Sequence, residues 1–127
     1  MRELLRVERP MELRSAANLR LHWSERARRA KTHRLIGYTL MRSAIHATGN
    51  PFFMARLGDI EIELTRMAPR RLDSDNNVSA FKSIRDGVAD ALEIDDGDEH
   101  FLWTYRQESV AKKNSGIRVR VLAMSGT

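Results

Sequence analysis

Asp73 and Asp75 stand one residue apart in Arg70-Arg71-Leu72-Asp73-Ser74-Asp75-Asn76-Asn77, and a second acidic run, Glu93-Ile94-Asp95-Asp96-Gly97-Asp98, follows after a helical stretch. Carboxylates are hard oxygen ligands, the kind that hard divalent cations such as Mg²⁺ prefer. In extended backbone Asp73 and Asp75 would point to one side about 7 Å apart, a spacing that can flank one or two ions. A metal so held supplies what phosphodiester hydrolysis needs: a nucleophilic water, neutralised charge at phosphorus and help for the departing oxygen. Asp96, or Asp95 beside it, could complete the cage; neighbours in an extended segment face opposite ways, so at most one of the two binds directly. Lys82 would add a fixed positive charge at the developing phosphorane or leaving group, and Arg70 and Arg71 are candidate phosphate clamps.

The same residues admit plainer readings. Asp, Ser and Asn are what any loop before a helix uses for capping and turns, and Asp95-Asp96-Gly97-Asp98 also reads as a surface turn. An EF-hand starting at Asp73 fails, because Val78 stands where glycine is required and Ile84 where the bidentate glutamate is required. His22, His33, His46 and His100 show no zinc spacing. There is no phosphate-cradling Walker run, no glycine-rich dinucleotide loop and no nucleophile elbow.

The run Asp73-Ser74-Asp75-Asn76, then Lys82 and Asp86, then Asp95-Asp96, resembles the RusA-like Holliday-junction resolvases of phages and prophages. Their signature is Asp-x-Asp-Asn opening a helix, a lysine and an aspartate on that helix, and an Asp-Asp pair after it. The resemblance covers residues 69–107. One departure stands out. The family lysine often falls three residues after the Asn, where this chain has Ser79; Lys82 comes one turn later, with the family's four-residue spacing to Asp86. Either Lys82 takes the role across an inserted turn or Ser79 stands in its place.

The resemblance implies one nuclease domain over residues 1–127, acting as a crossover junction endodeoxyribonuclease on four-way and branched DNA. It implies Mg²⁺, or Mn²⁺ in its place, held by Asp73, Asp75 and Asp96 (with Asp95 as the substitute), and Lys82 beside them as the fourth catalytic group. It also implies a homodimer, and a bacterial or phage-encoded protein of the cytoplasm. Two other functions stay open: a DNA-binding module that keeps the fold and cuts nothing, and a phage regulatory or structural protein whose basic helix contacts a protein partner.

The elements that must position these groups follow from periodicity. Residues 3–13 carry short apolar pieces broken by Pro10, which suits an irregular or edge strand because proline cannot donate to a ladder. Ser24 is a suitable N-cap for a helix running to Ala47, ended by Gly49-Asn50-Pro51. Its first half is basic, with Arg26, Arg28, Arg29, Lys31 and Arg34, Arg20 just upstream and only Glu25 opposing. That half reads either as a solvated face or as a surface for phosphates. Its second half, with Ile36, Leu40, Ala44 and Ala47, belongs to the core. Residues 57–67 alternate Ile60, Ile62 and Leu64 against Asp59, Glu61 and Glu63, the pattern of a half-buried strand.

A helix over 77–92 would put Val78, Phe81, Ile84, Val88 and Leu92 on one face. Asp75, Ser79, Lys82 and Asp86 share a stripe about 120° away. Such a helix is roughly 24 Å long, so the acids at its two ends meet only if loops fold back or the helix bends. Residues 101–109 and 117–121 read as two strands joined through Lys112-Lys113-Asn114-Ser115-Gly116, a hairpin, with Phe101, Trp103 and Tyr105 as sheet core. The expected fold is a small single α/β (α+β) domain, a mixed four-stranded sheet flanked by helices in the order β-α-β-α-β-β.

At 127 residues the chain is long enough for one sizeable core. It has no cysteine, which excludes disulfides and thiolate metal sites. Nothing near its start reads as a signal peptide, and no apolar run approaches the roughly 18 residues of a membrane span. A net charge of +5 raises the prior for nucleic acid, with ribosomal, membrane-surface and solubilising explanations still open.

Overall fold

Ile60–Ala68 is the strand on which the rest is built. All nine of its residues are buried, and in the computed structural model it has a neighbour on each side. The structure describes residues 2–15, 19–49, 59–95 and 97–124. Four strands form one sheet: β1 (Arg2–Pro10), β2 (Ile60–Ala68), β3 (Phe101–Ser109) and β4 (Gly116–Ala123), in the spatial order β1-β4-β2-β3. β4 runs antiparallel to both β1 and β2, and β3 runs parallel to β2. A parallel pair needs a crossover. Here it is helical, α2 (Ser74–Ala80) and α3 (Lys82–Leu92), while α1 (Trp23–Thr48) precedes β2. The described residues form a small α+β domain with a mixed four-stranded sheet and three α-helices.

β1 is an edge strand, with Pro10 as its last residue and an irregularity between Glu3 and Leu5. The expected hairpin between the last two strands does not form. β2 lies between β3 and β4, and residues 110–115 cross its end through a 3₁₀ turn at Lys112–Asn114. Charge and burial explain the choice. β3 carries Arg106 and β4 carries Arg118 and Arg120 on the sheet face where β2 carries Glu61 and Glu63. Between them, Glu63 of β2 accepts from Arg106 Nε at 2.8 Å and from Arg120 Nη1 at 3.1 Å. On the opposite face Val119 and Val121 pair with Leu64 and Ile62, all four fully buried.

β2 is therefore not half-buried. Its alternation is as read, but Glu61 and Glu63 are only 6 % and 5 % exposed. An ion-paired lattice covers them: Arg118 bridges Glu8 and Glu108, Arg120 bridges Glu3 and Glu63, and Thr104 donates to Glu61 at 2.8 Å. The helices pack on the other face. There Phe81, Ile84, Val88 and Leu92 meet Ile60, Ile62, Leu64, Val119 and Val121 in one hydrophobic cluster, with Phe101, Trp103 and Tyr105 half-buried against it.

α1 starts one residue before Ser24. His22 is its N-cap and accepts the Ser24 amide on Nδ1 at 3.3 Å. Gly49 ends it at φ 91°, a conformation glycine adopts without strain. The crossing of α1 over α3 is a backbone contact. A Cβ on Gly37 would collide with the Ile84 carbonyl, and one on Gly87 with the Arg34 carbonyl. Only glycine lets the two axes come this close.

The second helical region differs most from expectation. It begins at Ser74 rather than Asn77 and divides at Phe81, whose amide bonds back to the Val78 carbonyl at 3.1 Å. Val78 is exposed at that division and leaves the apolar face.

Candidate functional site

The segment that carries Asp73 is fastened from three directions. Arg66 lies on the same strand face as Ile60, Ile62 and Leu64 and is only 9 % exposed. Its Nε donates to the Leu13 carbonyl and its Nη1 to the Arg70 carbonyl, both at 2.7 Å. Burial lowers the guanidinium pKa from its ordinary value. Gln107 of β3 clasps Leu72 twice, its Oε1 accepting the amide and its Nε2 donating to the carbonyl, each at 2.8 Å. Ser109 donates to the Pro69 carbonyl at 3.2 Å. The loop before α2 is thus docked on the C-terminal end of β3.

Asp73 occupies the N-cap of α2 by its backbone, and the Asn77 amide bonds to its carbonyl at 2.9 Å. Its carboxylate makes no cap bond. Asp75 lies in the first turn, so the two are not successive positions of an extended segment, as the spacing suggested. Both are exposed. As hard oxygen donors next to one another in sequence they suit part of a ligand set for a hard cation.

Asp95 is elsewhere. It is exposed at the far end of α3, in a turn where its Oδ1 accepts the Gly97 amide at 3.4 Å and its carbonyl accepts the Asp98 amide at 3.1 Å. That turn leads into Phe101, the first residue of β3, whereas the Asp73 loop is clasped at Gln107. Six residues of strand between them span roughly 20 Å. Within one chain, Asp95 does not join Asp73 and Asp75. Among the described residues no group of three or more His, Cys, Asp or Glu side chains is arranged to hold a metal ion. Asp96 lies outside the described residues.

The basic helix and Lys82 do come together. Leu21, Arg26, Arg29 and Ala30 from one side, and Ser79, Lys82 and Ser83 from the other, line a cleft of about 330 Å³. The close α1–α3 crossing brings these walls together. Ser79 and Lys82, the two rivals for the family lysine, share one wall, and only Lys82 brings charge. Arg29 also donates through Nη2 to the Arg14 carbonyl, and burial lowers its pKa. Half-buried His33, one turn along, has its pKa lowered by burial and by the charge of Arg29.

The remaining basic residues divide. Arg34 makes a two-point bond to Asp90, Nε to Oδ2 at 2.7 Å and Nη2 to Oδ1 at 3.0 Å. The bond raises its pKa and ties α1 to α3. Arg20, Arg28, Lys31 and Arg70 are exposed and outside the cleft. Arg71 lines a second groove, along β3.

Ser83 and Arg66 were not singled out from the sequence. Arg66 carried a signal, a charge on the apolar parity of β2. Ser83 carried none.

No family model matches the chain. A Xylella fastidiosa (strain Temecula1 / ATCC 700964) protein described as "Uncharacterized protein" is 36 % identical over 81 residues, which is 62 % of this chain and 51 % of that relative. The chain thus spans about half the length of the curated relative it matches. No helix among the described residues is long and apolar enough to cross a membrane.

Proposed function

We propose that the protein is a DNA-phosphate-binding nuclease of the RusA-like, junction-resolving kind, working as a homodimer in the cytoplasm. The observation that carries this reading is the cleft in which Arg26 and Arg29 of α1 face Lys82. Two features argued separately from the sequence, a basic helix and a lysine on the acidic-motif helix, line one concave surface. Cations so arranged suit a phosphodiester backbone and release condensed counterions on binding.

In this proposal Asp73 and Asp75 hold a divalent cation, Mg²⁺ or Mn²⁺, and the third carboxylate, Asp96, comes from the other subunit of the homodimer, because Asp95 beside it in sequence does not reach them within one chain. When bound, the ion activates water and neutralises charge at phosphorus. Lys82 opens α3 just past the division at Phe81, while Asp75 lies in the first turn of α2. Lys82 would hold a neighbouring phosphate oxygen and stabilise the charge that develops there. Arg70 and Arg71 would clamp the strand on the near side.

A synthetic four-way junction tests the enzyme half. Wild-type protein with Mg²⁺ should nick it, and Asp75→Asn should bind equally and not nick. Equal cutting by both, or binding by both with cutting by neither, would refute it. The second reading, a DNA-binding module without hydrolysis, is favoured by one specific observation: Asp95 sits at the opposite end of β3 from Asp73 and Asp75.

A further inference from the structure

The sheet ends in β1 on one side and β3 on the other, and the two edges are not alike. β1 carries the devices that keep an edge from pairing with another chain, Pro10 and the irregularity between Glu3 and Leu5. β3 has neither. It pairs with β2 in an unbroken parallel register from Phe101 to Ser109, with no proline, no lysine and no bulge. In such a pair, alternate residues turn their backbone groups to opposite sides. The Ile60 amide bonds to the His100 carbonyl and the Val110 amide to the Ala68 carbonyl, so the even-numbered residues of this strand face β2. Trp103, Tyr105 and Gln107 therefore direct N–H and C=O outward, where no strand among the described residues meets them. Exposed apolar side chains flank that edge, Leu102 of the strand itself and Val78 in the wall of the groove beside it.

A second copy answers these groups in one register. Let β3 of one chain run antiparallel to β3 of another, about a two-fold axis through Tyr105. Tyr105 then faces its counterpart and Trp103 faces Gln107, so each outward N–H meets an outward C=O, about six backbone hydrogen bonds in all. This register overlaps the whole strand. Centring on Trp103 or Gln107 instead would leave outward groups unmet. The ends of the strand carry the consequence. The Phe101 end holds the acidic turn of Asp95, through the Phe101 amide bonded to the Asp98 carbonyl at 3.2 Å. The Gln107–Ser109 end holds the loop before Asp73. Within one chain those ends lie a strand's length apart. In the pair, the start of one β3 lies against the end of the other, across one inter-strand spacing of about 4.8 Å.

We propose that the open edge of β3 is the surface through which two copies of this chain associate, joining their four-stranded sheets into one. The contact is isologous, the commonest kind between identical chains. It sets the Asp95 turn of each copy beside the loop that carries Asp73 and Asp75 in the other. The proposal rests on the homodimer reading above and gives that dimer a surface and a register. It also gives the dimer a reason, since neither copy alone brings together the acids from both ends of the strand. The two assemblies so formed lie at opposite ends of the paired strands, roughly 25 Å apart.

The chain has no cysteine, so introduced ones report the register without background. Leu102 and Glu108 are both exposed, and neither substitution empties the core. In the proposed pair they face one another between hydrogen-bonded positions, with Cα atoms about 4.5 Å apart, close enough for a disulfide. Leu102→Cys and Glu108→Cys are made as separate full-length proteins, mixed and mildly oxidised. The mixture should yield a covalent dimer. Either variant alone should lose it, because the two copies of Leu102, like those of Glu108, lie roughly 20 Å apart. The mass of the wild type in solution, measured by light scattering, should be that of two chains. A dimeric wild type with no cross-link in the mixture would overturn the β3 interface and leave the homodimer reading standing. Cross-linking as strong in either variant alone as in the mixture would overturn the register, and with it the meeting of the acids. A wild type that stays monomeric would remove both readings, whatever the cross-link.

Discussion

Arg26 and Arg28 look equivalent in the basic run but should behave differently in binding. Arg26 lines the cleft with Arg29 and Lys82. Arg28 is exposed, about 200° round the helix from Arg26, and points away from that surface. If the cleft seats backbone phosphates, its three cations contribute a log–log salt slope of about −2.7. Raising salt about fourfold then weakens wild-type binding by roughly 40-fold through the cleft alone. Arg26→Gln should reduce the slope to about −1.8 and that loss to roughly 12-fold. Arg28→Gln should leave both unchanged. Fluorescence anisotropy of a labelled four-way junction over a salt series, with EDTA present so that cutting cannot intervene, reads the slopes directly. Contacts made elsewhere add equally to all three proteins and cancel in the differences. Equal changes in the two variants would refute the cleft and restore a diffuse basic face. An unchanged slope in Arg26→Gln would refute phosphate seating there.

Gly87→Ala should destabilise the fold by about 2 kcal/mol or more, because its Cβ has only the Arg34 backbone to move against; urea unfolding checks this, and a change within about 0.5 kcal/mol would mean the helices do not cross so closely. His33 should make stability pH-dependent. Its folded-state pKa lies below the ordinary 6.5, so the unfolded chain takes the proton first. The contribution is full above that value and is lost as pH falls toward the folded pKa. Urea midpoints compared above and below pH 6.5 should show the fall, and His33→Gln should flatten it.

Much of the architecture was legible because period is local. The alternation at Ile60, Ile62 and Leu64, the helical spacing from Phe81 to Leu92 and the position of Pro10 each report on a few neighbouring residues, and each element appears close to where its pattern stands. The start of α2 was harder to see. Asp, Ser and Asn serve a loop and a first helical turn equally well, and in the structure Gln107 and Arg66 hold the residues just before Ser74, where the helix begins. Asn77 likewise reads as the polar first residue of the helix, whereas in the structure it is buried alongside Phe81 and Ile84.

Local order, the charge of α1 and the nearness of Asp73 to Asp75 were determined by the sequence alone, since chain connectivity and backbone sterics leave little choice over a few residues. Which strands became neighbours, which cations meet Lys82 and which acids stay apart were decided only in the tertiary structure. Those outcomes depend on burying apolar faces contributed by residues far apart in the chain, and on β2 carrying the carboxylates that Arg106 and Arg120 required from both sides. No window along the sequence contains that competition. It is settled when β2 enters between β3 and β4, and the same event holds the acidic turn at Asp95 a strand's length away from Asp73.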